Sequence, residues 1–357
     1  MVGVDVKVLK IVRWEGRKSL KRLYQTYYSQ KPRIKPPTMI DRREFAFQPF
    51  EFESYVRHIA FRGFQELKDY LASNAPRHAY YSVALYEIPE AKSMEEKVWL
   101  GSELLIDIDV DRLKGCSPLK IGDEDIVDDD CLLEGYKAAL RVKKMLERDL
   151  DSSSTIYFSG NRGFHVIGSC DYCLKLGRDE RGEVASYISG LGLDVGYIMP
   201  LLEAGKRRSK AFKAAAPSRD DPGWRGWLGA ELEGRGVAPG GPLDFELLNS
   251  LVEEVQVPID VQVTRDPSRL ARIVGSINGK ASLLVVDVSG GEFRPGPSLS
   301  PFSGYLEVKA LAGLEARILG YGLSFKPGET LTLEAPVALL LATKNIVEPV
   351  SGEVKVV

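Results

Sequence analysis

Apolar residues recur along this chain with two different periods, and the period changes from segment to segment. In RKSLKRLYQTYYS (17–29), Leu20, Leu23, Tyr24 and Tyr27 fall at helical spacing among lysines and arginines, which predicts an amphipathic docking helix. FRGFQELKDYLASN (61–74) predicts a second helix, and AYYSVALYEI (79–88) a strand rich in aromatic and small residues. ELLIDIDVD (103–111) alternates strictly. Leu104, Ile106, Ile108 and Val110 share one face of a strand, and Glu103, Leu105, Asp107, Asp109 and Asp111 share the other. DEDIVDDDCLLEGYKAALRVKKMLERDL reads as an acidic loop entering a long helix, its acids first and its bases later, as the helix dipole prefers. STIYFSGNRGFHVIGS is two apolar runs around a glycine-bounded loop, a hairpin.

Residues 201–242, rich in Gly, Ala and Arg, suggest a small helical insertion. From VQVPIDVQVT onward strands are expected again, with LEVKAL, ETLTLE and APVALLLATKNI completing the domain. In VPIDVQVT, Val257, Ile259, Val261 and Val263 form an apolar face and Asp260 lies opposite with Gln262 and Thr264. The predicted class is α/β of the α+β kind with a mixed sheet. Its core is discontinuous, 1–200 and 243–357, with 112–150 a loop and helix excursion and 201–242 the insertion.

Composition narrows the class. The chain has 357 residues, 44% hydrophobic and 27% charged, enough for a substantial core. Length suggests about two to three domains, but with no Pro/Gly/Ser linker and no repeat, one large domain carrying insertions is expected. No apolar run approaches ~18 residues and MVGVDVKVLK lacks the apolar core of a signal peptide, so the expectation is a cytoplasmic chain without a membrane partner. Cys116, Cys131, Cys170 and Cys173 are too few for a secreted disulfide scaffold, although an intracellular disulfide fits a hyperthermophile. Net charge is -2, yet Lys and Arg far outnumber acids between Lys7 and Arg43. That is a solvated helix face or a contact surface for core, partner or template.

Alternation explains half of the acidic strand, and chemistry the other half. Positions i and i+2 lie about 7 Å apart on a strand, so facing carboxylates repel and their pKa values rise. Divalent cations relieve this, and enzymes that join or cut phosphate esters hold two such ions roughly 3.5–4 Å apart on shared carboxylates. If the Asp260 strand neighbours the first, Asp107, Asp109 and Asp260 converge as metal ligands on neighbouring strands. An EF-hand is excluded, since Arg112 and Pro118 stand where that loop needs Gly and Glu. In SGNRGFH (159–165), two glycines let backbone amides approach an anion, while Ser159, Arg162 and His165 supply a hydroxyl, a planar fork and a donor. His58 and His78 read as packing or hydrogen-bonding residues rather than ligands.

At these residues the sequence resembles the catalytic small subunit of archaeal and eukaryotic DNA primases. LKRLYQTYY, RREFAF, YVRH, HAYYSVALYE, KVWLGSELLIDIDVD, YFSGNRGFHV and IDVQVT…RLARIVGSINGK occur in the family's order, while the insertion and the last fifty residues match poorly. The resemblance implies a primase making short RNA, and also DNA, primers from NTPs or dNTPs on a single-stranded DNA template, beside a large subunit. It implies Asp107, Asp109 and Asp260 as catalytic metal ligands for two Mg2+ or Mn2+ ions. Ser159, Arg162, His165, Arg57 and Arg272 correspond to nucleotide contacts, and Glu44 and Glu103 to acidic positions nearby.

Two departures accompany it. Asn278 of GSINGK stands where the family commonly has histidine, so weaker triphosphate contact or compensation by Lys280 is expected. Many members hold zinc between the acidic strand and the hairpin, where this chain offers only Cys116 and Cys131; with a structural zinc wanting four Cys/His ligands, none is expected, and Cys170 with Cys173 reads as a structural pair. Three rivals remain: a related repair or gap-filling polymerase that extends but does not initiate, a DxD sugar transferase, and a subunit that only binds nucleic acid. The sugar transferase leaves SGNRGFH and Asp260 unexplained, and mere DNA binding gives no reason for three anions.

Overall fold

The computed structural model describes residues 11–16, 18–199 and 213–357. The α+β class is observed, in three four-stranded sheets whose strand pairs are all antiparallel. The sheet that matters most runs Val286–Asp287, Ser153–Phe158, Gly163–Ser169, Leu104–Asp109. Ile106, Ile108, Ile156, Phe158, Phe164 and Val166 are fully buried on one face, against the Asp129–Asp149 helix. That helix begins where its acids predicted: the Asp128 side chain accepts from the Cys131 amide at 2.8 Å and caps it. The opposite face carries a cross-strand row, Asp287, Tyr157, His165 and Asp107, in direct register.

A second sheet, Leu270–Arg272, His78–Ser82, Phe45–Gln48, Val56–Ile59, turns Phe45, Phe47, Ala79 and Tyr81 into the core. Glu44, His78, Tyr80 and Arg272 lie on its other side. The two sheets are tied where they meet. The Glu103 amide donates to the Val83 carbonyl at 3.0 Å, and fully buried Arg43 donates to the Ser82 carbonyl at 2.8 Å and to the Glu103 carboxylate at 2.8 Å. Cys116 is bonded to Cys131, and Cys170 to Cys173.

Four sequence expectations need correction. AYYSVALYEI is two strands, His78–Ser82 and Ala84–Tyr86, in different sheets, because the Val83 amide bonds to the Arg269 carbonyl at 2.9 Å and the chain changes sheets there. The acidic strand ends at Asp109, and Asp111 sits in the Val110–Arg112 3-10 turn. VPIDVQVT is no strand: Asp260 caps a short helix, Val261–Arg265. APVALLLATKNI is the Ala335–Thr343 helix with Pro336 in its first turn, a run so uniformly apolar that periodicity could not separate helix from strand. Its residues Ala335 to Leu341 are all buried, against the third sheet, Ile11–Arg13, Val347–Val356, Phe302–Ala310, Thr330–Glu334. Of the 201–242 stretch, 201–212 lie outside the described residues; the rest holds the Lys213–Ala215 strand, paired with Pro242–Asp244, and the Gly223–Gly234 helix.

The basic helix, Lys18–Gln30, docks on the chain's own core. Tyr24, Tyr27 and Tyr28 are almost fully buried and aim their phenols at the segment 275–282. Tyr24 Oη bonds Ser282 Oγ at 3.0 Å, Tyr27 Oη donates to the Gly275 carbonyl at 2.6 Å, and Tyr28 Oη accepts from the Ile277 amide at 3.0 Å. Tyr27→Phe leaves the Gly275 carbonyl unpaired in the interior, and a loss of about 1–3 kcal/mol in denaturant-monitored unfolding is expected. An unchanged midpoint would show that the phenols are not what holds this helix.

Candidate active site

Antiparallel pairing of Gly163–Ser169 with Leu104–Asp109 sets His165 opposite Asp107 and Gly163 opposite Asp109. Gly163 is required there: a Cβ would stand 2.6 Å from the Ile108 carbonyl oxygen and 3.2 Å from Asp109 Oδ1. Gly160, at φ +77°, makes the turn itself. The loop is closed by the Ser159 amide, which donates to the Gly163 carbonyl at 2.9 Å, and is fastened to the strand end by the Val110 amide, which donates to the Arg162 carbonyl at 3.2 Å.

Among the described residues, no hydrogen-bond donor serves the carboxylates of Asp107 or Asp109; the His165 Nε2 atom, 3.5 Å from Asp107 Oδ1, is the nearest partner recorded for Asp107. Burial, and then the negative charge of Asp260, push the Asp107 carboxyl up from 3.8 to about 6. Burial, with Asp107 and Asp111 beside it, pushes Asp109 up as well. His165 is driven the other way, to about 4, by burial and by Arg272, so at neutral pH its imidazole is uncharged and offers a hydrogen bond rather than a positive charge.

Asp260 reaches this place by a different route from the expected strand pair. Its amide donates to the Asp107 carbonyl at 3.2 Å, while Oδ1 accepts from the Gln262 and Val263 amides at 3.0 and 3.2 Å. An aspartate that bonds its own following amides favours a helix start over a sheet ladder, which is why the alternation misled. Oδ2 is taken by Arg112 Nη2 at 2.9 Å. Among the described residues no three His, Cys, Asp or Glu side chains are gathered into a ready cage for one ion.

The remaining expected contacts divide between two walls. Arg162 is paired with Asp125 at 2.5 Å and with Asp111 at 3.4 Å. Across from it, Arg272 lies 4.8 Å from the Tyr80 ring centroid and donates to His78 Nδ1 at 3.0 Å; burial, then Arg272, lower His78 to about 2, so it stays a neutral acceptor. Arg57, half-exposed, donates to Glu44 at 3.1 Å, and Lys97 is bound to the same carboxylate at 2.6 Å. Burial would raise Glu44, but Lys97 and Arg57 outweigh it and hold it low. Asn278 is buried and turns both ends of its amide to backbone: Nδ2 donates to the Ser159 carbonyl at 2.8 Å and Oδ1 accepts from the Lys280 amide at 3.1 Å. It therefore positions the loop, and Lys280 is the exposed member of that pair.

Sequence reasoning missed Arg112, which holds Asp260, and the Arg43–Glu103 and Lys97–Glu44 pairs. Arg112 carried a signal, as the first base after the acidic run. The buried pairs carried none, since their partners lie tens of residues apart.

An acidic strand face and a glycine-turned arginine loop side by side on one antiparallel sheet form the kind of centre that handles phosphate esters. A model of the DNA primase small subunit family matches residues 106–289, which contain both. The DNA primase small subunit PriS of Aeropyrum pernix is 48% identical, the alignment covering 94% of each chain. Those of Sulfolobus acidocaldarius and Sulfurisphaera tokodaii are 33% and 31% identical, over 92% and 93% of this chain and 94% and 96% of theirs. The chain belongs to the DNA primase small subunit family, and it is an enzyme of that nucleotidyltransferase class.

Because the folded state raises the Asp107 pKa to about 6, it binds that proton more tightly than the unfolded chain does. The resulting stability is complete below about pH 4 and is lost as pH rises through about 6. Asp107→Asn should therefore raise the metal-free unfolding free energy at pH 7 by up to about 3 kcal/mol, with no gain near pH 3.5. Equal melting curves for the two proteins at pH 7 would refute the strain that burial and Asp260 place on this carboxylate.

Proposed function

We propose that the chain is the catalytic subunit of a primase that starts short RNA, and also DNA, chains on single-stranded DNA beside a large subunit. The observation that carries this is the register that sets Asp107 opposite His165 and Asp109 opposite Gly163, bringing a pair of unserved carboxylates to the mouth of a phosphate-type loop. Divalent ions fit these residues. Among the described residues, two carboxylates receive no hydrogen bond, the pKa of each is raised, and Asp111 Oδ1 is buried without a partner, a donor set whose charge a divalent cation would neutralise.

Asp107, Asp109 and Asp260 would hold Mg2+ or Mn2+, which supplies a lowered pKa at the attacking 3'-hydroxyl and charge neutralisation at the pyrophosphate leaving group. The chain's own part is positioning. Loop amides of 159–165 and the Arg162 fork would orient the triphosphate, and His165 would donate a neutral hydrogen bond to it. Arg272, held over the Tyr80 ring and aimed by His78, and Arg57, aimed by Glu44, would add charge from the opposite wall. Backbone contacts would hold the template, with sequence left to base pairing. All four cysteines are taken up in two disulfides, which supports a reading without structural zinc.

The test combines two substitutions with two substrates. Asp107→Ala with Asp109→Ala should cut incorporation of labelled nucleotides by about a thousandfold or more while the protein melts no lower than wild type. Mn2+ should raise the melting temperature of wild type and not of the variant. Wild type should make dinucleotides on unprimed single strands, alone or with its large subunit. Extension of primers without such initiation would favour a gap-filling polymerase, and synthesis surviving the double substitution would remove the aspartates from the mechanism.

A further inference from the structure

Lys344 ends the Ala335–Thr343 helix, far along the chain from the acidic strand, and its side chain is only 7% exposed. An ammonium has three donors, and burying one without partners is costly. Here it makes one hydrogen bond, to the Asp125 carbonyl at 3.0 Å, and one longer ion pair, to Glu124 at 3.7 Å. It faces a cavity lined also by Asn161, Arg162 and Asp125. Arg162 and Lys280 stand close enough to press their charge on it. Two of these cations, Lys344 and Arg162, thus line one hollow beside Asn161 of the 159–165 loop.

What occupies them is a short hairpin, Leu119–Ile121 with Glu124–Ile126. A single residue bridges two of the cations: the Asp125 carboxylate sits on Arg162 at 2.5 Å, and its carbonyl takes Lys344. That is the task of a phosphate group, whose several oxygens accept from neighbouring cations at once. The Cys116–Cys131 disulfide closes the base of this excursion, so the acidic tip is held near the loop.

We propose that Lys344 is a further binding residue for the terminal phosphates of the nucleoside triphosphate, and that Asp125 and Glu124 keep its place until those phosphates arrive. The proposal rests on the reading of the 159–165 loop as the triphosphate site. The site is completed by the C-terminal helix, outside the residues 106–289 that the family model matches. The hairpin competes with the ligand, so removing the carboxylate of Asp125 strengthens binding.

Binding of inorganic tripolyphosphate, ATP and AMP to the full chain, measured calorimetrically with Mg2+ throughout, tests this. Lys344→Gln should weaken tripolyphosphate and ATP on the order of tenfold and leave AMP unchanged, Lys344→Arg should restore most of the loss, and Asp125→Asn should tighten tripolyphosphate several-fold. If Lys344 only ties the hairpin to the helix, Lys344→Gln binds tripolyphosphate as wild type does and Asp125→Asn binds no better; either result overturns the proposal. Should Lys344→Gln fail to fold, Lys344→Met, which keeps the packing of the stem and removes the charge, decides: tripolyphosphate bound as tightly as by wild type overturns the proposal. Arg162→Gln separates the two levels: weakened binding there with none in Lys344→Gln sinks this inference alone, whereas unchanged binding in Arg162→Gln sinks the triphosphate reading of the loop as well.

Discussion

The backbone ladder between Leu104–Asp109 and Gly163–Ser169 is the constraint from which the rest of this site follows. Its register, and the missing side chain at Gly163, bring the phosphate-type loop against two carboxylates that receive no hydrogen bond among the described residues. A slip by one residue would turn Asp107, Asp109 and His165 into the apolar layer beneath the Asp129–Asp149 helix. The fully buried Ile106, Ile108, Phe164 and Val166 forbid that slip, so the hydrophobic pattern on one face enforces the chemistry on the other.

Around that ladder the molecule keeps opposite charges in readiness. Asp107 is strained by burial and by Asp260, and Asp109 by burial and by Asp107 and Asp111, while Asp260 is held by Arg112, Arg162 by Asp125 and Asp111, and Arg57 by Glu44. Each pairing spares a buried or half-buried ion the cost of standing alone. Each is also one that a ligand of the matching sign could replace. The arrangement is that of a binding centre whose own side chains stand in for ligand charges.

The remaining architecture holds the two walls in place. Arg43 and Glu103 tie the second sheet to the acidic strand, and the tyrosines of the basic helix fix the segment 275–282, from which Asn278 grips the loop at Ser159. The helix read from its stripe as a docking element, with core, partner and template all open as its contact, thus serves on its apolar side to position the site.

By itself the sequence determined what depends on neighbours along the chain. Alternation in IDID, the glycines of SGNRGFH, the acidic start of the long helix and the stripe of the basic helix were all legible, because period and local backbone preference act over a few residues. The gathering of Asp107, Asp109, His165 and Arg162 was legible too, since those residues sit on two strands, Leu104–Asp109 and Gly163–Ser169, and on the loop that leads into the second. Only the tertiary structure decided that Asp260 arrives as a helix cap, that Asn278 turns inward to the loop, that APVALLLATKNI is a helix, and that Lys344 meets Arg162. For the last three the physical reason is common, and for Asp260 it is the tertiary bond of its amide to the Asp107 carbonyl added to its own local cap. Each of those three outcomes is set by which distant groups share a buried space, where an unpaired charge or amide costs more than any local preference is worth.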